Sequence, residues 1–195
     1  MEKSKDYLDI YLIGVGGQGI GLLSETLIRA ADYADYHVRG VDTHGLAQRG
    51  GTVRSHLRIG KNIYSPLIQK GEADLVVALE VYEAYRGIFT YLKEKGTLIY
   101  YDTVWQPLNI RMGEKERINQ EMIEEACKKR KAKSIRVFDE DLDDTRMQNM
   151  VIIGEMASKE IIKGISIDNY KKALMDLMQG KMLENNLNLF NTLIS

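Results

Sequence analysis

Gly14-Val15-Gly16-Gly17-Gln18-Gly19 is the stretch whose reading decides the fold. It follows Tyr-Leu-Asp-Ile-Tyr-Leu-Ile at 7–13 and precedes a segment in which Leu22, Leu23, Leu27, Ala30 and Ala31 are apolar. An apolar run ending at a glycine cluster predicts a buried strand. The i, i+4, i+8 stripe over about 19–34 predicts a helix lying on a sheet. The loop satisfies GxGxxG through Gly14, Gly16 and Gly19, placed between strand and helix as a dinucleotide motif requires. Glycines there let backbone N–H groups approach an anion at a helix N-terminus, and Asp42 falls roughly where such folds hold a ribose. Against NAD or FAD stand the adjacent Gly16-Gly17 pair, Gln18, and the absence of a helical pattern after Asp42. The other reading gives the glycines a packing role, turning the chain and letting helix and sheet approach closely. The sequence favours that one.

Working outward, residues 37–41 read as a second strand. A crossover helix is then due, but residues 43–52 read Thr-His-Gly-Leu-Ala-Gln-Arg-Gly-Gly-Thr. Residues 53–59 alternate Val53, Ser55, Leu57 and Ile59 against Arg54, His56 and Arg58, which predicts a half-exposed strand with a cationic outer face. The near-continuous apolar run at 74–79 fits a strand covered on both faces in a parallel sheet. A helix over 81–93, a strand over 97–101, a helix over 114–131 and a short strand over 135–138 follow, then an acidic turn at 139–144. Ser166 is placed to cap a helix, with Ile165 and Tyr170 as a hydrophobic staple. Gly180 suits that helix's end, and a last helix carries Leu183, Leu187, Phe190 and Ile194 on one side. These readings give one domain over 1–195: an open, mostly parallel, Rossmann-like α/β sheet. It has an added strand after the second glycine loop and a helical C-terminal cap from about 147.

Composition narrows the chemistry. Of 195 residues 44% are hydrophobic and 28% charged, with formal charge −1, so no general attraction to nucleic acid or anionic membrane is expected. No apolar run approaches the ~18 residues of a bilayer span, and no signal-peptide pattern opens the chain, so a cytoplasmic protein is expected. Cys127 is the only cysteine, whereas an iron–sulfur cluster takes four thiolates. His37, His44 and His56 lack metal-site spacing. The basic run at 128–133 reads as a solvated helix end, and the acidic turn lacks calcium-loop spacing. Cys127 reads as inert and His44 as a loop histidine bonded to backbone, with acid–base work as its alternative. Arg49, beside Gly50-Gly51, carries two readings: a clamp on a phosphate or carboxylate, or a salt bridge to Asp42 or to a partner chain.

At the two loops the sequence stops being generic. Gly14-Val15-Gly16-Gly17-Gln18-Gly19, His44-Gly45-Leu46-Ala47-Gln48-Arg49-Gly50-Gly51-Thr52-Val53 and Ser55-His56-Leu57-Arg58-Ile59-Gly60 resemble the gamma-type domain of pyruvate and ketoisovalerate ferredoxin oxidoreductases. Ser65-Pro66-Leu67-Ile68, Gly71-Glu72-Ala73-Asp74-Leu75-Val76-Val77-Ala78-Leu79-Glu80, Glu83-Ala84 and Arg86 are similar within that family to the beta-type subunit of indolepyruvate oxidoreductases. Asn149-Met150 ahead of Gly154, and Glu184-Asn185, match the family's C-terminal helices. The resemblance implies an accessory subunit of an enzyme that decarboxylates a 2-oxo acid, aromatic in the nearest group, to an acyl-CoA and reduces ferredoxin. It implies no catalytic residue on this chain and no activity in isolation. Thiamine diphosphate and iron–sulfur clusters are expected on a large partner subunit. Coenzyme A is expected at the interface, near Gly14, Gly16, Gly17, Gln18, Gly19, His44, Gln48, Arg49, Gly50 and Gly51. A freestanding NAD- or FAD-binding oxidoreductase and a pure interaction module are the alternatives.

Overall fold

The computed structural model describes residues 6–43, 51–105, 118–142 and 144–195. Its elements are β1 (Tyr7–Val15), α1 (Ile20–Asp32), β2 (His37–Thr43), β3 (Thr52–Gly60), β4 (Ala73–Ala78), α2 (Val81–Thr90) and β5 (Leu92–Tyr101). They continue with α3 (Gln120–Lys129), β6 (Lys133–Val137), a 3-10 turn (Thr145–Met147), α4 (Gln148–Ser158), α5 (Ile167–Leu177) and α6 (Gly180–Leu193). The strands form one sheet in the order β2-β3-β1-β4-β5-β6. β4 is parallel to β1 and β5, and β6 to β5, while β3 is antiparallel to both β1 and β2. The expected open, mostly parallel sheet with an added strand is what forms.

Side-chain alternation along β1 sorts the core into two layers, because successive residues point to opposite faces. Ile10 and Leu12 face a layer built from α1, α4, α5 and α6. Tyr11 and Ile13 face a second layer with α2 and α3. The apolar stretch of β4 at 75–78 is buried from both sides, as parallel strands under helices must be. Most of α4 is also buried, from Gln148 to Ala157 apart from Glu155, because it lies between the sheet and α6. Gly154 makes that possible: a Cβ there would stand 2.7 Å from Cβ of Leu193 on α6.

Several boundaries differ from the sequence reading, each for a tertiary reason. β3 is no half-exposed strand with a cationic outer face. It lies between β2 and β1, and Ser55, His56 and Leu57 are buried. One of its cations is absorbed by the neighbouring strand: Arg58 Nε lies 2.7 Å from Asp9 Oδ1 on β1, and Asp9 is 1% exposed. A buried carboxylate of this kind is tolerated only when paired. The Asp9 N–H in turn donates to Asp74 Oδ2 at 2.7 Å, and Asp74 is paired with Lys93. α2 stops at Thr90 instead of 93. Tyr91 stacks on Tyr11 with centroids 3.9 Å apart, and the fully buried Leu92 already pairs with Ala73.

Further along, Asn119 caps α3 by accepting the Met122 N–H at 2.9 Å, so that helix begins at Gln120, and residues 114–117 of the expected helix lie outside the described residues. Ser166 caps α5 in a reciprocal box with Asn169, and Ile165 and Tyr170 are buried as a staple requires. Gly180 does not end that helix. Extended backbone at Met178 breaks it two residues earlier, and Gly180 opens α6. No helix among the described residues is long and apolar enough to cross a membrane.

Cys127 sits on the buried side of α3 with Ile123 and Ala126, 2% exposed, and burial pushes its thiol up to about 11. Thiolate is the reactive form, so the folded protein should be inert toward a disulfide reagent such as Ellman's reagent at pH 8 and should titrate one thiol in guanidinium. Rapid labelling of the native protein is the result that contradicts this packing.

Candidate functional site

In open α/β sheets the crevice for ligands lies beyond the carboxyl ends of parallel strands. Here those ends are Val15 of β1 and Ala78 of β4, with the glycine loop and Leu79-Glu80 leading away from them. Gln18 joins the two. Its Oε1 accepts the Val15 N–H at 2.8 Å, its Nε2 donates to the Leu79 carbonyl at 3.0 Å, and Gln148 Oε1 lies 3.5 Å from the same nitrogen. At 4% exposure this amide is an internal tie between β1, β4 and the start of α4. It satisfies backbone groups that would otherwise be orphaned at the strand ends.

The glycines divide by role. Gly14 is still in β1, where a Cβ would meet Ile20 Cδ1 at 2.9 Å and Gln18 Oε1 at 3.1 Å. Gly19 caps α1 in the left-handed region at φ +81, and a Cβ would stand 2.5 Å from Asn149 Nδ2. The Asn149 amide donates to the Gly19 carbonyl at 3.3 Å. Both are packing glycines, as the favoured reading required. Gly17 is different: it is exposed, and at φ +103 a Cβ would meet nothing within 4 Å among the described residues. Gly16 donates its N–H to the Gly51 carbonyl at 2.9 Å, which brings the two glycine loops together. His44, Gln48, Arg49 and Gly50 lie outside the described residues.

The acid expected to meet a ribose stands elsewhere. Because β3 inserts between β2 and β1, Asp42 is two strands from β1, roughly 10 Å at ordinary strand spacing. Its Oδ1 accepts the Ser24 hydroxyl of α1 at 3.2 Å. This geometry does not serve a dinucleotide lying on the first glycine loop.

The second flank of the crevice was not picked out from the sequence as a site. Glu80 follows the apolar strand β4 and caps α2, accepting N–H groups of Glu83 at 2.5 Å and Tyr82 at 3.0 Å. It is 1% exposed, and burial raises its carboxyl to about 7 against the helix-cap hydrogen bonds that lower it. Glu83, also buried, accepts the Thr52 hydroxyl at 3.0 Å, and its other oxygen lies 3.5 Å from Arg86 Nε. Burial raises Glu83 as well. The available signal was a Glu-x-x-Glu pair directly after an apolar strand, with an acid at the helix start and another in its first turn, where the helix dipole favours negative charge.

Two predictions follow from this geometry. Gly19→Ala combines left-handed strain with a collision at Asn149 and should lower unfolding free energy by on the order of 1–3 kcal/mol, measured by urea titration. Gly17→Ala, with open space around it, should cost less. For Glu80 the folded carboxyl titrates above the unfolded one. Its contribution to stability is therefore fully present below about pH 4.5 and is lost as pH rises through about 7. Glu80→Gln keeps an acceptor for the cap and should remove that slope, so the variant should gain on the wild type between pH 5 and pH 8. Parallel stability–pH curves for the two proteins would contradict the assignment.

Comparison with known proteins places these loops in context. Residues 9–193 match the family described as pyruvate ferredoxin/flavodoxin oxidoreductase. The indolepyruvate oxidoreductase subunit IorB of Archaeoglobus fulgidus is 45% identical over 96 residues, 49% of this chain and 46% of that protein. The subunit of the same name from Methanothermobacter thermautotrophicus is 41% identical over 102 residues, 52% of this chain and 51% of that protein. The chain thus spans about half the length of the curated relatives it matches. Pyruvate oxidoreductase subunit PORC from Thermotoga maritima shares the fold with a TM-score of 0.65 at 17% identity, over 97% of this chain and 96% of that one. A 2-oxoglutarate:ferredoxin oxidoreductase from Magnetococcus marinus, solved with 2-oxoglutarate, coenzyme A and succinyl-CoA bound, matches with a TM-score of 0.67 at 19% identity. That match covers 97% of this chain and 31% of the larger one.

Proposed function

Because the chain belongs to the pyruvate ferredoxin/flavodoxin oxidoreductase family, we propose that it is the accessory subunit of a 2-oxoacid:ferredoxin oxidoreductase whose oxo acid is an aryl pyruvate such as indolepyruvate. The observation carrying this reading is the meeting of the two family loops at the Gly16–Gly51 hydrogen bond. It joins the glycine motif to the segment that holds Arg49. The names of the relatives at 38–45% identity support the aromatic substrate.

The chain's own donors do not fit the electron-carrying groups of such an enzyme. A cluster takes four thiolates, and the single thiol here is buried and held protonated. Among the described residues no group of three or more His, Cys, Asp or Glu side chains is arranged to hold a metal ion. In this reading thiamine diphosphate, the clusters and the contact with ferredoxin belong to a large partner subunit. This chain's share is a wall of the coenzyme A vestibule. The open backbone at Gly17 admits an anion, and Gln18 keeps the crevice floor rigid. In sequence Arg49 stands between Gln48 and Gly50-Gly51, five residues after His44, and its guanidinium offers a planar, permanently charged fork to a phosphate.

The purified chain alone should not reduce viologen with aryl pyruvate and coenzyme A, and should do so when reconstituted with the large subunit. In the complex, Arg49→Ala should raise the Michaelis constant for coenzyme A roughly tenfold or more, the loss of one charge-assisted contact. Co-purification should survive. If the chain is instead a pure interaction module, the mutation disrupts co-purification and leaves the coenzyme A constant unchanged. A freestanding dehydrogenase would reveal itself through a large rise in melting temperature with NADH.

A further inference from the structure

A cavity of about 540 Å³ opens on the α2 face of the sheet, over β3 and away from the Gln18 tie, lined by Thr43, Thr52, Arg54, His56, Leu67, Ile68 and Tyr91. It exists because β3 replaces a crossover helix: residues 61–72 cross this part of the face as loop. Its polar groups are already sorted by their hydrogen bonds. The Thr52 hydroxyl donates to Glu83, and the Thr43 hydroxyl donates to the Arg54 carbonyl at 3.2 Å, so neither proton is free. Glu83 is balanced by Arg86. The Arg54 guanidinium acts on Glu83 only through space and makes no hydrogen bond or ion pair among the described residues. His56 Nδ1 accepts the Ile68 N–H at 3.2 Å, which leaves the proton of the neutral ring on Nε2 as a second donor. Burial and the neighbouring arginines both hold that ring neutral.

The other walls are apolar. Leu67 and Ile68 come from the loop, and Tyr91 gives one ring face to Tyr11 while His56 packs edge-on to both rings at 5.1 and 5.2 Å. A cavity of this size is in the range that holds small organic molecules and far exceeds an inorganic ion. We propose that it is a binding site for an organic anion with a flat, apolar body, whose acid group is taken by Arg54 and the His56 imidazole while its body lies against Leu67, Ile68 and Tyr91. Every group involved comes from one chain, so the inference does not depend on the reaction assigned to the assembled enzyme.

The test is calorimetric titration of the isolated full chain with three probes at millimolar concentration: phenylpyruvate, adenosine 3′,5′-bisphosphate and inorganic phosphate. At least one organic probe should bind more tightly than inorganic phosphate. Binding of phenylpyruvate alone identifies a carboxylate ligand, and binding of the bisphosphate alone a phosphorylated one. Arg54→Gln should weaken that binding roughly tenfold or more, as loss of a charged hydrogen-bond partner does. Leu67→Asp should weaken it too; Leu67 is 58% exposed, so this variant tests the apolar wall without emptying the core. Arg146→Gln, paired with Asp144 in the 3-10 turn, should bind as the wild type does. The proposal is overturned if neither organic probe binds, if inorganic phosphate binds equally well, or if folded Arg54→Gln and Leu67→Asp both bind unchanged.

Discussion

The backbone ladder between β1 and β3 is the constraint on which the remaining architecture depends. It runs from Tyr7 opposite Gly60 to Val15 opposite Thr52, the full length of both strands. An antiparallel partner in this position pushes β2 outward and turns the face above β3 into loop. It also brings Gly51 beside Gly16 at the end where the parallel strands terminate. A parallel sheet of the ordinary kind would put β2 against β1 and leave Asp42 at the first glycine loop. One inserted strand therefore alters both the nucleotide geometry and the cavity.

The same pairing decides the electrostatics. Arg54, His56 and Arg58 align with Ile13, Tyr11 and Asp9, so three polar residues of β3 face one layer of the core. Each reaches a different solution. Arg58 is neutralised by buried Asp9, His56 is held neutral among rings, and Arg54 stands at the cavity edge beyond Thr52. Opposite them, Glu80 and Glu83 are buried at the start of α2, where helix N–H groups and Arg86 offset part of the desolvation. Buried carboxyl groups thus gather at the start of α2, next to the crevice, which is where perturbed groups most often serve binding.

Residue by residue, the legible part of this protein is the part governed by local chemistry. The β1–glycine–α1 unit, the buried run at β4, the Ser166 cap and the added strand at 52–60 follow from periodicity, glycine placement and capping preference. They come with no knowledge of neighbours. The site was half legible. Gly14 and Gly19 as packing glycines were readable from the crowded motif, whereas the hydrogen bond between Gly16 and Gly51 came only from the fold. The burial of His56, the tie made by Gln18 and the acids at α2 were not, because each depends on which strand lies beside it.

What the sequence by itself determined is most of the elements and the family, since these rest on periodicity, motif and bonds within a few residues. What only the tertiary structure decided is where β3 inserts, and through that the fate of every polar side chain on it. An alternating strand specifies two faces but not what covers them. Whether Arg54, His56 and Arg58 meet water, a ring or a carboxylate depended on Tyr11, Asp9 and Tyr91, brought together across the sheet from other parts of the chain.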